Sequence, residues 1–186
     1  GFDPAKKTIL IVGGSLGART INRSIKEGLQ SLAGSDVQCI WQTGKLYVTE
    51  AREAAASFRN SNMIVTDFVT RMDYAYAIAD LVISRAGASS ISELCLLAKP
   101  VILVPSPNVA EDHQTKNALA LINRDAAVMI RDADAEKSLV PKALELIENN
   151  PALEQLSKNI AQLAQRNSAD RIVDEVFKII EQRKNF

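Results

Sequence analysis

Residues 79–105, ADLVISRAGASSISELCLLAKPVILVP, contain a β-loop-α-β unit. Leu81 to Ser84 is a short apolar run suited to a buried strand. Gly87 breaks it into a turn. Ser89, Ser90 and Ser92 bring hydroxyls to a helix start, and Glu93 puts a carboxylate near its positive end. Leu94 to Leu97 supplies the apolar face, Lys99-Pro100 stops the helix, and Val101 to Val104 is the next strand. The polar residues therefore lie beyond the carboxyl end of the first strand, where open parallel sheets carry their ligands. The free N–H groups and dipole of a helix start suit an anion such as a phosphate.

The same alternation runs outward in both directions. Thr8–Val12 reads as a strand, then Arg19 to Leu32 as one helix with Ile21, Ile25 and Leu29 at helical spacing. Strands are expected at Val37–Trp41 and Met63–Thr66, with a turn at Asn60-Ser61-Asn62 and helices over 46–58 and 72–79. Downstream come a helix over 114–122, a last strand over 127–130, and helices over 137–148, 151–165 and 170–182. Pro151 suits a helix first turn. The fold class is α/β: a Rossmann-like parallel sheet with helices on both faces. The last helix is amphipathic and either packs on this sheet or reaches toward a further domain.

Composition narrows the function. Hydrophobic residues make up 47% of the 186, enough for a packed core. Lys+Arg 22 balances Asp+Glu 22, which argues against nucleic acid as the main partner. Cys39 and Cys95 fall in apolar segments and read as buried thiols of a reducing compartment. No apolar run approaches the roughly 20 residues of a membrane span, and no signal-peptide pattern is present. The chain starts with Gly1 and enters a strand within a few residues, as expected of a piece of a longer protein.

Three motifs carry chemistry. Gly13-Gly14-Ser15-Leu16-Gly17-Ala18 joins a strand to a helix; it suits a phosphate approaching the backbone, the alternative being a tight junction with Ser15 as helix cap. It lacks the second glycine of G-x-G-x-x-G and the Lys of a P-loop. It does match G-x-S-x-G, so a serine hydrolase using Ser15, an Asp such as Asp67 or Asp80, and His113 is an alternative. Too few strands precede it for that fold. Ser90-x-x-Glu93 is either a capping box or a carboxylate for vicinal sugar hydroxyls. Glu111 to Ala118 leads into a helix, with Asp112 at its start and His113 and Gln114 able to meet a sugar. One His and scattered carboxylates do not make a metal site. Phe68-Val69, at a strand end, could read a base edge through the backbone, or be a plain apolar turn.

In combination, GGSLGAR, TDFV, SRAGASSISEL, KPVILVP and EDHQTKNA resemble the carboxy-terminal domain of the MurG family, the peptidoglycan N-acetylglucosaminyltransferases of the GT-B class. The resemblance covers nearly the whole chain, in order. It implies a donor domain spanning 1–186 that binds UDP-N-acetylglucosamine, without cofactor or metal. Ser15 would touch the diphosphate, Val69 the uracil through its backbone, and Ala88, Ser89 and Ser90 the phosphate. Glu93 would hold the ribose, and His113 and Gln114 the N-acetylglucosamine. No catalytic residue is expected here. The general base, the surface for lipid I and the contact with the cytoplasmic face of the bacterial inner membrane would belong to an amino-terminal domain absent from the chain. The whole enzyme would be a peripheral membrane protein making lipid II, and the fragment alone inactive. Within the class, the runner-up is a related glycosyltransferase using another UDP-sugar; outside it, beside the hydrolase, stands a non-catalytic nucleotide-binding module.

Overall fold

The structure, a computed structural model, describes residues 2–58 and 62–184. Among them the strands are β1 (Thr8–Val12), β2 (Gln38–Gln42), β3 (Met63–Thr66), β4 (Leu81–Ser84), β5 (Val101–Leu103) and β6 (Val128–Met129). They form one parallel sheet in the order β3-β2-β1-β4-β5-β6. Helices α1 (Arg19–Glu27), α2 (Leu29–Ala33), α3 (Val48–Ala56), α4 (Met72–Ile78), α5 (Ala88–Leu96), α6 (His113–Ile122), α7 (Ala135–Ile147), α8 (Asn150–Ala161) and α9 (Ser168–Lys184) complete the fold. The α/β class expected from the alternation is the one observed. The turn expected at Asn60-Ser61-Asn62 lies largely outside the described residues.

The strand period of two sorts the core into two layers. Ile9 and Ile11 of β1 point to one face, where they meet Ile21, Ile25, Leu29, Trp41, Leu139 and Val140. Leu10 points to the other, among Ile40, Val82, Leu94, Leu103, Ala118 and Ile160. Because both faces are covered, the central strands are apolar without interruption, as parallel strands require.

Several local expectations are corrected. The single helix expected over 19–32 is two, separated at Gly28. A Cβ on Gly28 would lie 2.4 Å from Val140 Cγ2 of α7, so the glycine is where α7 presses against the chain. The helix opened by Pro151 is α8; it is capped by the Asn149 side chain on the Ala152 N–H at 3.1 Å and stops at Ala161. Helix α9 belongs to neither core layer, and its apolar face, including Ile172, Val176 and Phe177, is exposed. Among the described residues no helix is long and apolar enough to cross a membrane.

Candidate functional site

The sheet order reverses between β1 and β4, whose connections leave toward opposite edges, so their carboxyl ends flank a crevice. On one side stands the glycine loop. Its turn closes through the Gly17 N–H to Gly14 C=O at 3.0 Å, with Ser15 exposed at the apex. Gly17 has φ +86°, and a Cβ there would fall 2.3 Å from the Thr43 carbonyl oxygen. Gln42, buried at the end of β2, holds the loop: its Oε1 accepts from Gly14 N–H at 3.0 Å, and its Nε2 donates to the carbonyls of Gly14 at 2.9 Å and Asp67 at 2.7 Å. Ser15 is not the helix cap. The cap position is Ala18, with no side chain bonded to the helix start.

On the other side α5 begins at Ala88, with Gly87 in the cap position at φ −71°, ψ 144° and no side-chain cap. The first-turn N–H groups of Ala88, Ser89 and Ser90 therefore have no side-chain cap, a donor set that is able to bind an anion. The capping box is not formed. Ser90 lies inside the helix because Gly87 already supplies the extended cap conformation, and Glu93 instead accepts a hydrogen bond from the Tyr76 hydroxyl at 3.1 Å. Burial and the Glu93 carboxylate push the Tyr76 phenol well above its ordinary pKa, which keeps it a donor.

The rim beyond β5 is α6. His113 is exposed in its first turn, and Gln114 is half-buried with Oε1 accepting from Ser106 N–H at 2.9 Å. One turn on, Asn117 Nδ2 donates to the Ala86 carbonyl at 3.1 Å, tying α6 to the loop after β4. Glu111 and Asp112 both take left-handed conformations, φ 53° and 51°, sparsely populated for such residues. Asp112 occupies the cap position, but its carboxylate accepts from the Thr115 hydroxyl at 2.7 Å. After β3, Val69 is half-buried, and its N–H and C=O have no hydrogen-bond partner among the described residues.

A cleft of about 440 Å³ opens between the glycine loop and α6, lined by Gly13, Gly17, Arg19, Arg85, Gln114 and Asp132, among others. Of the motifs singled out from the sequence, Gln114 lines it together with Gly13, Gly17 and Ala18 of the glycine loop, whereas Ser15, Val69, Ala88, Ser89, Ser90, Glu93 and His113 do not. Reasoning from sequence missed the clamp in its wall. Arg85 pairs with Asp132 and donates to the carbonyls of Val104 at 3.0 Å and Pro105 at 3.2 Å; Asp132 in turn accepts from the Thr20 hydroxyl at 2.8 Å. The ends of β4, β5 and β6 and the start of α1 are thereby fixed together. A charged residue directly after an apolar strand, as Arg85 is, was the available signal. Arg19, on the same cleft, has no ion pair among the described residues. Among those residues no group of three or more His, Cys, Asp or Glu could hold a metal.

These features define a doubly wound α/β domain of the kind that carries ligands at the carboxyl edge of its sheet. Residues 8–173 match the glycosyltransferase family 28 C-terminal domain, and the chain belongs to that family. It is 66% identical over 183 residues to the UDP-N-acetylglucosamine--N-acetylmuramyl-(pentapeptide) pyrophosphoryl-undecaprenol N-acetylglucosamine transferase of Parabacteroides distasonis, covering 98% of this chain and 50% of that protein. It superimposes on the crystal structure of Acinetobacter baumannii MurG with a TM-score of 0.84 at 30% identity, over 93% of this chain and 50% of that one. A putative UDP-N-acetylglucosamine 2-epimerase from Listeria monocytogenes shares the fold, with a TM-score of 0.68 at 14% identity, over 95% of this chain and 46% of that one. The chain spans about half the length of the curated relatives it matches.

Proposed function

We propose that the chain is the donor-binding half of an inverting glycosyltransferase that moves N-acetylglucosamine from UDP-N-acetylglucosamine to lipid I, giving lipid II. The observation that carries this reading is the uncapped start of α5 across the crevice from the glycine loop, with Glu93 on the same helix. A rise of about 1.5 Å per residue puts Glu93 roughly 7.5 Å beyond Ala88. That span suits one nucleotide with its phosphate on the first-turn amides and its ribose hydroxyls on the carboxylate. Ser15 meets the diphosphate from the glycine loop. The free backbone groups of Val69 pair with the uracil edge. Gln114, its carbonyl already fixed by Ser106, turns its amide N–H₂ to the sugar, with His113 beside it.

The reaction is a displacement at the anomeric carbon by the 4-hydroxyl of the acceptor, with inversion. Charge builds on the departing UDP, and the loop amides and the α5 dipole stabilise it there. The general base and the lipid I surface fall to the other half of the enzyme, which works at the cytoplasmic face of the bacterial inner membrane as a peripheral protein. The names of the relatives support the sugar and the acceptor.

Calorimetric titration with UDP-N-acetylglucosamine, UDP and ADP tests the reading. Uridine ligands bind, ADP does not, and Glu93→Ala weakens UDP about tenfold or more, the scale of lost hydrogen bonds to a charged group. Equal binding of ADP, or a Glu93→Ala variant that binds UDP as well as the parent, would reject it.

A further inference from the structure

The bond between Tyr76 and Glu93 joins α4, whose Tyr76 belongs to a core layer, to the first turns of α5. Tyr76 lies on α4 and is nearly buried, at 7% exposure, while Glu93 sits on the solvent side of α5. An exposed glutamate samples many rotamers, and fixing one has an entropic cost. Here the phenol has already fixed it, donating to Oε2 at 3.1 Å. A carboxylate has about four acceptor directions. One is taken by Tyr76, and the others remain for a pair of vicinal hydroxyls.

We infer that Tyr76 is a positioning residue for the donor nucleotide: its hydroxyl holds the Glu93 carboxylate in the orientation that receives the ribose. This rests on the ribose role of Glu93 given above. Tyr76 touches no ligand itself. It lowers the ordering cost of binding, a preorganisation effect that belongs to the ribose alone. The phenol stays protonated across the neutral range because burial and Glu93 both disfavour the phenolate.

The test is a cycle between one protein group and one ligand group. UDP and 2′,3′-dideoxyuridine diphosphate are titrated into the parent, Tyr76→Phe, Glu93→Ala and the double variant, with thermal melts run alongside. Tyr76→Phe weakens UDP roughly three- to tenfold, the scale of one hydrogen bond. It leaves the dideoxy compound unchanged and adds nothing in the Glu93→Ala background. Equal weakening of both ligands would mean that Tyr76 acts through the fold, and unchanged UDP binding would mean that Glu93 needs no support; either overturns the inference. Should Tyr76→Phe unfold, the parent's own preference for UDP over the dideoxy compound is compared with that of Tyr76→Met, which fills the site without a donor; a Met variant that binds UDP like the parent also overturns it. A Glu93→Ala variant that binds both ligands like the parent rejects the ribose role itself, a different failure from that of Tyr76.

Discussion

Gly17 and Gly44 approach so closely that neither admits a side chain. A Cβ on Gly44 would lie 2.2 Å from the Gly17 nitrogen, and one on Gly17 would strike Thr43 and the Tyr47 ring. Gly17→Ala is therefore expected to cost about 1–3 kcal/mol from its positive φ alone, more with the clash, and to weaken UDP by displacing the Ser15 turn; urea melts and the UDP titration measure the two. Cys39 gives a pH signature. Burial raises its thiol from an ordinary 9.0 to about 12. The folded pKa exceeds the unfolded one, so the full contribution is present below pH 9 and is lost as pH rises toward 12. Stability should fall by about 1.4 kcal/mol per pH unit in that window through this group, and Cys39→Ala should remove that slope whatever it does to stability at pH 7. Single residues were legible where their chemistry was local. Ser15, Glu93 and Gln114 stand in polar motifs at strand ends and could be singled out. Tyr76 and Asp132 act on partners 17 and 47 residues away, and nothing in their own neighbourhoods announces it.

At the scale of elements, Gly28 is the sharpest case. Helical spacing carries the apolar stripe from Ile21 through Leu29, so periodicity alone reads one helix. The break depends on α7, more than a hundred residues downstream, and on Val140 in particular. Gly28→Ala should destabilise the fold by roughly 1–3 kcal/mol through overpacking. Adding Val140→Ala should recover part of that loss, which a double-mutant cycle in urea detects as a coupling. The α5 start shows the converse. Ser90-x-x-Glu93 has the spacing of a capping box, yet Gly87 takes the cap position and sends Glu93 outward. Spacing identified the residues as a pair to watch, but the backbone conformation at Gly87 decided what they do. Strand positions came through best because buried parallel strands are apolar runs with clear ends.

For the whole molecule, the α/β class and the order of elements were readable, since each crossover needs its own helix. The fate of α9 was not, because an amphipathic sequence states that a partner exists and not where. The structure leaves that face open. A chain ending at Arg166 should therefore melt within a few degrees of the parent and keep its UDP affinity, as α9 contributes to neither core layer nor the cleft. The packing of α7 on α1 carries a further consequence, for synthesis. The apolar stripe of α1, Ile21 and Ile25, is covered by Leu139, Val140 and Ala143. On a translating ribosome that cover is still more than a hundred residues away when α1 emerges, a delay of roughly 5–20 s at about 5–20 residues per second. Through that interval the nascent glycine loop and its helix stand with one side bare, so the half of the site made first is finished last and the growing chain is a natural client for a chaperone.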